Sequence, residues 1–228
     1  MKDRTGLALG SATVVLVATA LTATSSDAHG ATGPALTGNG WKIAAPRITH
    51  IDSAPWTIAF HDSASRTKLT PYLRNTAAEL TSHLGVKITV TTRIVPASKT
   101  TCTRGHVITY RYMSKPNPER PNQSFAVVCG NNTQAADGAS IYINSDYWSP
   151  TRRFREYQRM NVIWHESAHA IGLSHPDTCP KDRYGRQPIM CADQPTHTGT
   201  RRYSAFDTAG LKQLVKNRAY YTATNLLP

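Results

Sequence analysis

Residues His165–His175 read HESAHAIGLSH. His165 and His169 are four residues apart, so on a helix they stand one turn apart on the same face, and both imidazoles can reach one metal ion. Glu166 follows the first histidine and therefore points beside such an ion. That is the position of a base that takes a proton from a metal-activated water. Gly172 can adopt a left-handed conformation and end the helix. The chain then turns, so that His175 can swing back as a third ligand, and Pro176 discourages the helix from continuing. Three protein ligands leave one coordination position open, the mark of a catalytic rather than a structural zinc site. At ordinary composition a bare H-E-x-x-H arises in about one chain of this size in a few hundred, and requiring Gly172 and His175 lowers that by roughly three orders of magnitude. His50, His61, His83, His106 and His197 lack such spacing and read as ordinary core or surface groups.

Working outward, the segment before this stretch alternates between strand and helix patterns. Ala54–His61 (APWTIAFH) reads as a strand. Leu69–Leu84 reads as a helix capped by Thr70, with Leu69, Leu73, Ala77, Leu80 and Leu84 on one face and Gly85 at its end. Val86–Val95, His106–Met113, Ser124–Cys129 and Ala139–Asn144 read as four further strands, and 115–121 (KPNPERP) as a loop. Ser149-Pro150 offers a cap and a first-turn proline for the helix that runs to Gly172. A last helix begins near Ser204 and includes Leu211, Leu214 and Val215. Strand, helix, four strands, helix, long loop, helix is the order of an α+β (or α/β-like) domain: a five-stranded, mixed, twisted sheet with helices packed on it. The helix between the first two strands suggests a parallel crossover there.

The chain has 228 residues, enough for one medium domain with a real core. Lys2 and Arg4 precede a mostly apolar run, Leu7–Ala23, and Ser26-Asp27-Ala28 follows with small residues suited to a signal peptidase. Residues 1–28 are therefore expected to be an export signal, the alternative being an uncleaved membrane anchor. Residues 29–48, rich in Gly, Ala, Thr and Pro, read as a flexible arm lying on the domain, and residues 49–228 as the domain proper. Export makes two disulfides the natural reading of Cys102, Cys129, Cys179 and Cys191. Of the three connectivities, Cys102–Cys129 with Cys179–Cys191 is favoured, because each pair brackets one local segment. The formal charge of +12 is scattered rather than blocked. It fits either a generic basic surface or loose association with anionic surface polymers. No nucleic-acid motif accompanies it, and no nucleic-acid partner is expected.

The eleven-residue stretch resembles the long zinc signature of the metzincin metalloproteases, H-E-x-x-H-x-x-G-x-x-H. PIMC, Pro188–Cys191, matches that family's methionine-bearing turn and puts Met190 in the role of a packing floor beneath the metal. The likeness extends more loosely over residues 54–218, where YSAFDTAGLKQLV is similar to the family's closing helix. Pro176 after the third histidine is similar to the serralysin branch; the short length and the PIM turn are similar to the matrixins. The tyrosine that some branches place two residues after the turn methionine is absent, since Ala192 stands there. Tyr203 is the nearest substitute.

The resemblance implies a metzincin-like fold and a secreted, monomeric zinc endopeptidase acting on polypeptides. Zn2+ would be held by His165, His169 and His175, with Glu166 as general base. It also implies a cleft beneath an edge strand, with Ser124–Cys129 as the candidate edge, to which an extended peptide adds. The pocket past the scissile bond would involve residues 193–203. Ca2+ has only a weak candidate in Asp137, Gly138 and Asp146, for which ordinary turn chemistry is the simpler reading. Two other readings stay open: a zinc hydrolase acting on cell-wall peptides, and a noncatalytic zinc-binding module.

Overall fold

A computed structural model describes residues 33–191 and 202–223. In chain order the elements are β1 (Thr37–Gly38), β2 (Trp41–Ile43), β3 (Trp56–Phe60), α1 (Ser63–Leu84), β4 (Ile88–Ile94), β5 (Val107–Met113), β6 (Phe125–Gly130), β7 (Ala136–Asn144), a 3-10 turn (Ser145–Trp148), α2 (Glu156–Ile171), β8 (Leu173–Ser174) and α3 (Ala205–Ala223). The main sheet has five strands in the order β4-β3-β5-β7-β6. β3 runs parallel to both β4 and β5, and β5 runs parallel to β7. Only β6 is antiparallel to its neighbour. The architecture is thus α+β with a mixed five-stranded sheet, and the expected parallel crossover through α1 is present.

Central strands of a covered sheet must be apolar on both faces. β7 meets this demand, with eight of its nine residues buried. In β3, Trp56, Ile58, Ala59 and Phe60 are buried. α1 lays Leu69, Leu73, Leu80 and Leu84 on this sheet, and α2 adds Ile163 and Ile171. Each such side chain withdrawn from water contributes about 1.5–3 kcal/mol before the entropy of ordering is subtracted.

Two helix starts differ from the sequence reading. α1 begins at Ser63 rather than Leu69, because Asp62 Oδ1 accepts the Ser65 amide at 2.7 Å and caps it there. Ser65 is itself buried, and its Oγ accepts the Tyr112 amide at 2.8 Å, so the early turn is anchored to the sheet. α2 begins at Glu156 rather than just after Ser149. The Ser149 and Thr151 hydroxyls bond each other, and Arg153 has φ 51°, a left-handed conformation that interrupts a helix. The cap falls instead where Gln158 Oε1 accepts the Arg155 amide at 2.8 Å.

Residues 41–48, expected in a flexible arm, are built into the domain. β2 pairs with both β1 and β8 in a second, three-stranded sheet, and Trp41, Ile43 and Ile48 are buried. Their apolar side chains give this stretch a reason to dock that its Gly- and Pro-rich context hides. The favoured disulfides are both present, Cys102–Cys129 and Cys179–Cys191, each with Cα atoms 5.9 Å apart. The export-signal reading and residues 29–32 of the arm lie outside the described residues. Among the described residues no helix is long and apolar enough to cross a membrane.

The cap on α1 makes a testable contribution. Burial by itself would raise the Asp62 pKa, but hydrogen bonds from the Ser65 backbone and side chain outweigh it and hold the carboxyl below its ordinary 3.8. A depressed carboxylate stabilises above its unfolded-state pKa and loses that contribution as pH falls through the folded one. Asp62→Ala should therefore cost about 1 kcal/mol at neutral pH. In denaturant titrations across pH, the difference from wild type should shrink towards zero in acid.

Candidate metal centre

His165 and His169 project from the last turns of α2, which ends because Gly172 takes φ 119° and its amide bonds back to the Ala168 and His169 carbonyls. A side chain at Gly172 would be strained at that φ, and its Cβ would meet Ile48 Cγ2 at 2.6 Å. Beyond the glycine, β8 pairs with β2 in the register Ile43↔Leu173 and Lys42↔Ser174. The Ala44 amide also donates to the Gly172 carbonyl at 2.9 Å. This pairing fixes the direction in which the chain leaves the helix and returns His175 to the other two histidines.

The three Nε2 atoms form a nearly equilateral triangle, with separations of 3.0 Å (His165 to His169), 3.1 Å (His165 to His175) and 3.2 Å (His169 to His175). His165 Nδ1 donates to the Ile189 carbonyl and His169 Nδ1 to the Leu173 carbonyl, both at 2.8 Å. Those bonds place the ring proton on Nδ1 and leave the Nε2 lone pair facing the centre of the triangle. Burial holds the His169 pKa down at about 4, so that imidazole is neutral at ordinary pH. Neutral imidazole lone pairs converging at this distance repel one another unless a positive centre lies between them. Ligand nitrogens 2.0–2.1 Å from a tetrahedral zinc stand about 3.3 Å apart, close to the spacing found. The donor set fits a divalent cation, and His165, His169 and His175 could hold one.

Glu166 is buried, and its Oε2 has no hydrogen-bond partner. Burial pushes its pKa up to about 8. A buried carboxyl oxygen without a partner, next to three histidines that could hold a cation, is costly to keep. The three histidines and Glu166 line one wall of a cleft of about 510 Å3, and Ser124, Phe125, Ala126 and Val128 line another. Among the described residues β6 is an edge strand, paired on one side only, by β7.

The turn at Pro188–Cys191 lies under this centre. The Cys191 amide closes it on the Pro188 carbonyl at 3.2 Å, and Met190 is fully buried. It is held from below by a residue that sequence reasoning missed. The Asp207 carboxylate, buried at the start of α3, accepts from the Ile189 amide (2.9 Å), the Met190 amide (3.1 Å), and the Ser204 amide (2.8 Å) and hydroxyl (2.7 Å). The Ile189 carbonyl receives the His165 ring proton, so Asp207 orients a candidate ligand through one peptide unit. Ser204-x-x-Asp207 is a capping spacing, which is the signal that could have found it.

Two secondary assignments fail. Tyr203 is not aimed at the histidines: its hydroxyl donates to the Trp164 carbonyl at 2.9 Å, and its ring stacks on Trp164. Asp137 and Asp146 lie near opposite ends of the β7 run and are met by Arg104 and Arg152 respectively, so they do not form a calcium loop. His61 accepts the Ala97 amide, His83 faces Glu79, His106 bonds Asp52, and His50 is buried against Tyr221. Ala192, His197 and residues 193–201 of the expected pocket wall lie outside the described residues. Compared with known proteins, the chain matches no protein-family model and no curated protein.

If the imidazole triangle is a metal site, titration with zinc should give one ion per chain, and His169→Ala should abolish it. Asp207→Asn should weaken zinc binding by about 10–100-fold, as loss of an outer partner does. Competition with a chelating dye reads both. An Asp207→Asn protein that folds and binds zinc like wild type would show that the turn does not orient His165.

Proposed function

We propose that the protein is a secreted zinc-dependent endopeptidase of the metzincin type. The observation that carries this reading is the convergence of three histidine Nε2 atoms beside the buried, unpartnered Oε2 of Glu166, in a cleft bordered by the β6 edge. The two disulfides are consistent with export.

Bound zinc would supply a Lewis acid that lowers the pKa of water and offsets charge developing on a carbonyl oxygen. His165, His169 and His175 would hold it, their orientation fixed for the first two by the Nδ1 bonds to backbone carbonyls. Glu166 moves the proton: its carboxylate takes it from the attacking water and delivers it to the departing amine. Burial alone would keep this carboxyl protonated at neutral pH; the positive charge of a bound cation would draw it back to the carboxylate form. An extended substrate would lie along β6, where main-chain hydrogen bonds to the free edge hold the scissile bond in the cleft.

The basic charge of +12 is the one feature that supports the alternative, a zinc hydrolase acting on the peptides of an anionic cell-wall polymer. Casein hydrolysis by the purified protein, beside Glu166→Ala with zinc content measured on both, tests the proposal. The expected result is hydrolysis by wild type and a loss of at least about 100-fold in the variant with zinc retained. Cutting of wall peptides but not casein would move the substrate to the wall. Zinc binding without turnover on either would leave a binding module.

A further inference from the structure

Where β6 leaves the cleft it enters a second cavity of about 420 Å3, lined by Arg47, Thr100, Thr101, Cys102, Arg104 and the strand's last residues, Val127–Gly130. Val128 belongs to the walls of both, so the two spaces adjoin along one strand. The Cys102–Cys129 disulfide holds the Thr100–Thr101 loop against the end of β6 and so builds the outer wall. Among the described residues, no acidic side chain lines this cavity. Arg47 is exposed and makes one long bond, from Nη1 to the Val128 carbonyl at 3.5 Å. Arg104 is exposed too, and only its Nη1 is engaged, by Asp137 and the Gly130 carbonyl. Asp137 is occupied by Arg104 and by the Gly105 amide, so among the described residues one guanidinium, that of Arg47, is left without a counter-charge in the pocket.

We infer that this pocket is a subsite for an acidic side chain of the substrate, set off from the scissile bond along β6. The inference rests on the peptidase reading and adds a substrate class to it: peptides carrying Asp or Glu at a fixed distance from the bond cut. A peptide added to the β6 edge advances about 3.3 Å per residue and turns alternate side chains to the same side. From Ala126, beside the metal centre, to Gly130, at the arginines, is about 13 Å on that rise, or roughly four residues. Arg47 also occupies the Val128 carbonyl, an acceptor on the strand edge, so main-chain pairing stops there and recognition passes to side-chain charge.

The test uses one unstructured fluorescein-labelled peptide sequence in which a single Asp, Asn, Lys or phosphoserine is walked along the positions on both sides of the cleavage site. Cleavage is followed with wild-type enzyme, and binding by anisotropy with Glu166→Gln, which reads the pocket without turnover. Asp at one position, about four residues from the bond cut, should improve kcat/KM and affinity about tenfold over Asn, the scale of one charge-assisted hydrogen bond. In Arg47→Glu the preference should invert towards Lys at that same position. A phosphoserine peptide that binds more tightly than Asp and competes with it would identify the natural group as a phosphate held by the same chemistry.

Cleavage with no charge preference at any position, or a preference that Arg47→Glu leaves intact, overturns the subsite and spares the peptidase. Binding with the acidic preference but no cleavage by wild type overturns the peptidase and spares the subsite. Neither binding nor cleavage overturns both.

Discussion

Three imidazole nitrogens facing one another within 3.2 Å are the constraint around which this protein is organised. Imidazole nitrogens turned to one point suit a shared cation. Each Nε2 lone pair must be turned inward and kept there, and for His165 and His169 this is done by giving the opposite nitrogen a carbonyl to bond. The carbonyls come from different parts of the chain. Leu173 belongs to the strand that follows the helix, whereas Ile189 belongs to a turn much further on. Each must be fixed in place if the rings are to be fixed.

The surrounding structure supplies that fixation at both points. On one side, β2 pairs with β8 and takes the Leu173–Ser174 segment out of the helix direction, with Ile48 packed so closely on Gly172 that no side chain fits. On the other, Asp207 gathers two amides of the methionine turn and one of its own helix start. A carboxylate buried among backbone N–H groups is stable only while all of them converge, so the turn, α3 and the ring of His165 move together or not at all. The Cys179–Cys191 disulfide closes the segment between the third histidine and that turn, limiting the conformations it can sample.

Glu166 differs in its partners. Burial pushes both carboxyls up, but the amide and hydroxyl donors on Asp207 pull against that rise, whereas Glu166 Oε2 has no such partner and its pKa reaches about 8. On the proposed reading, Asp207 holds the site and Glu166 works in it. Beyond the centre, the open edge of β6 leads from the histidines to a pocket whose charge is set by Arg47 and Arg104. On the proposed reading, backbone recognition near the histidines and charge recognition further along let one strand serve both tasks.

The helix spacing of His165 and His169, the role of Gly172 as a stop, the strand-and-helix order and the disulfide pairs were legible in the sequence. All of these are short-range: periodicity, a positive-φ glycine, or cysteines bracketing a local segment. The starts of α1 and α2 were missed because Asp62 and Arg155 compete with better-looking caps nearby, and contacts with the sheet decide between them. Nothing local marks Trp41–Ile43 as the strand that aims His175, or Asp207 as the support beneath His165. Tyr203 looked like a candidate ligand until the fold turned it onto Trp164. By itself the sequence determined which side chains could share a metal and which face of α2 carries two of them. Tertiary structure alone decided where the third arrives, which nitrogen each of the first two rings presents, and which carboxyl is left without partners. Those outcomes depend on bonds between segments far apart in the chain, and residue spacing carries no record of them.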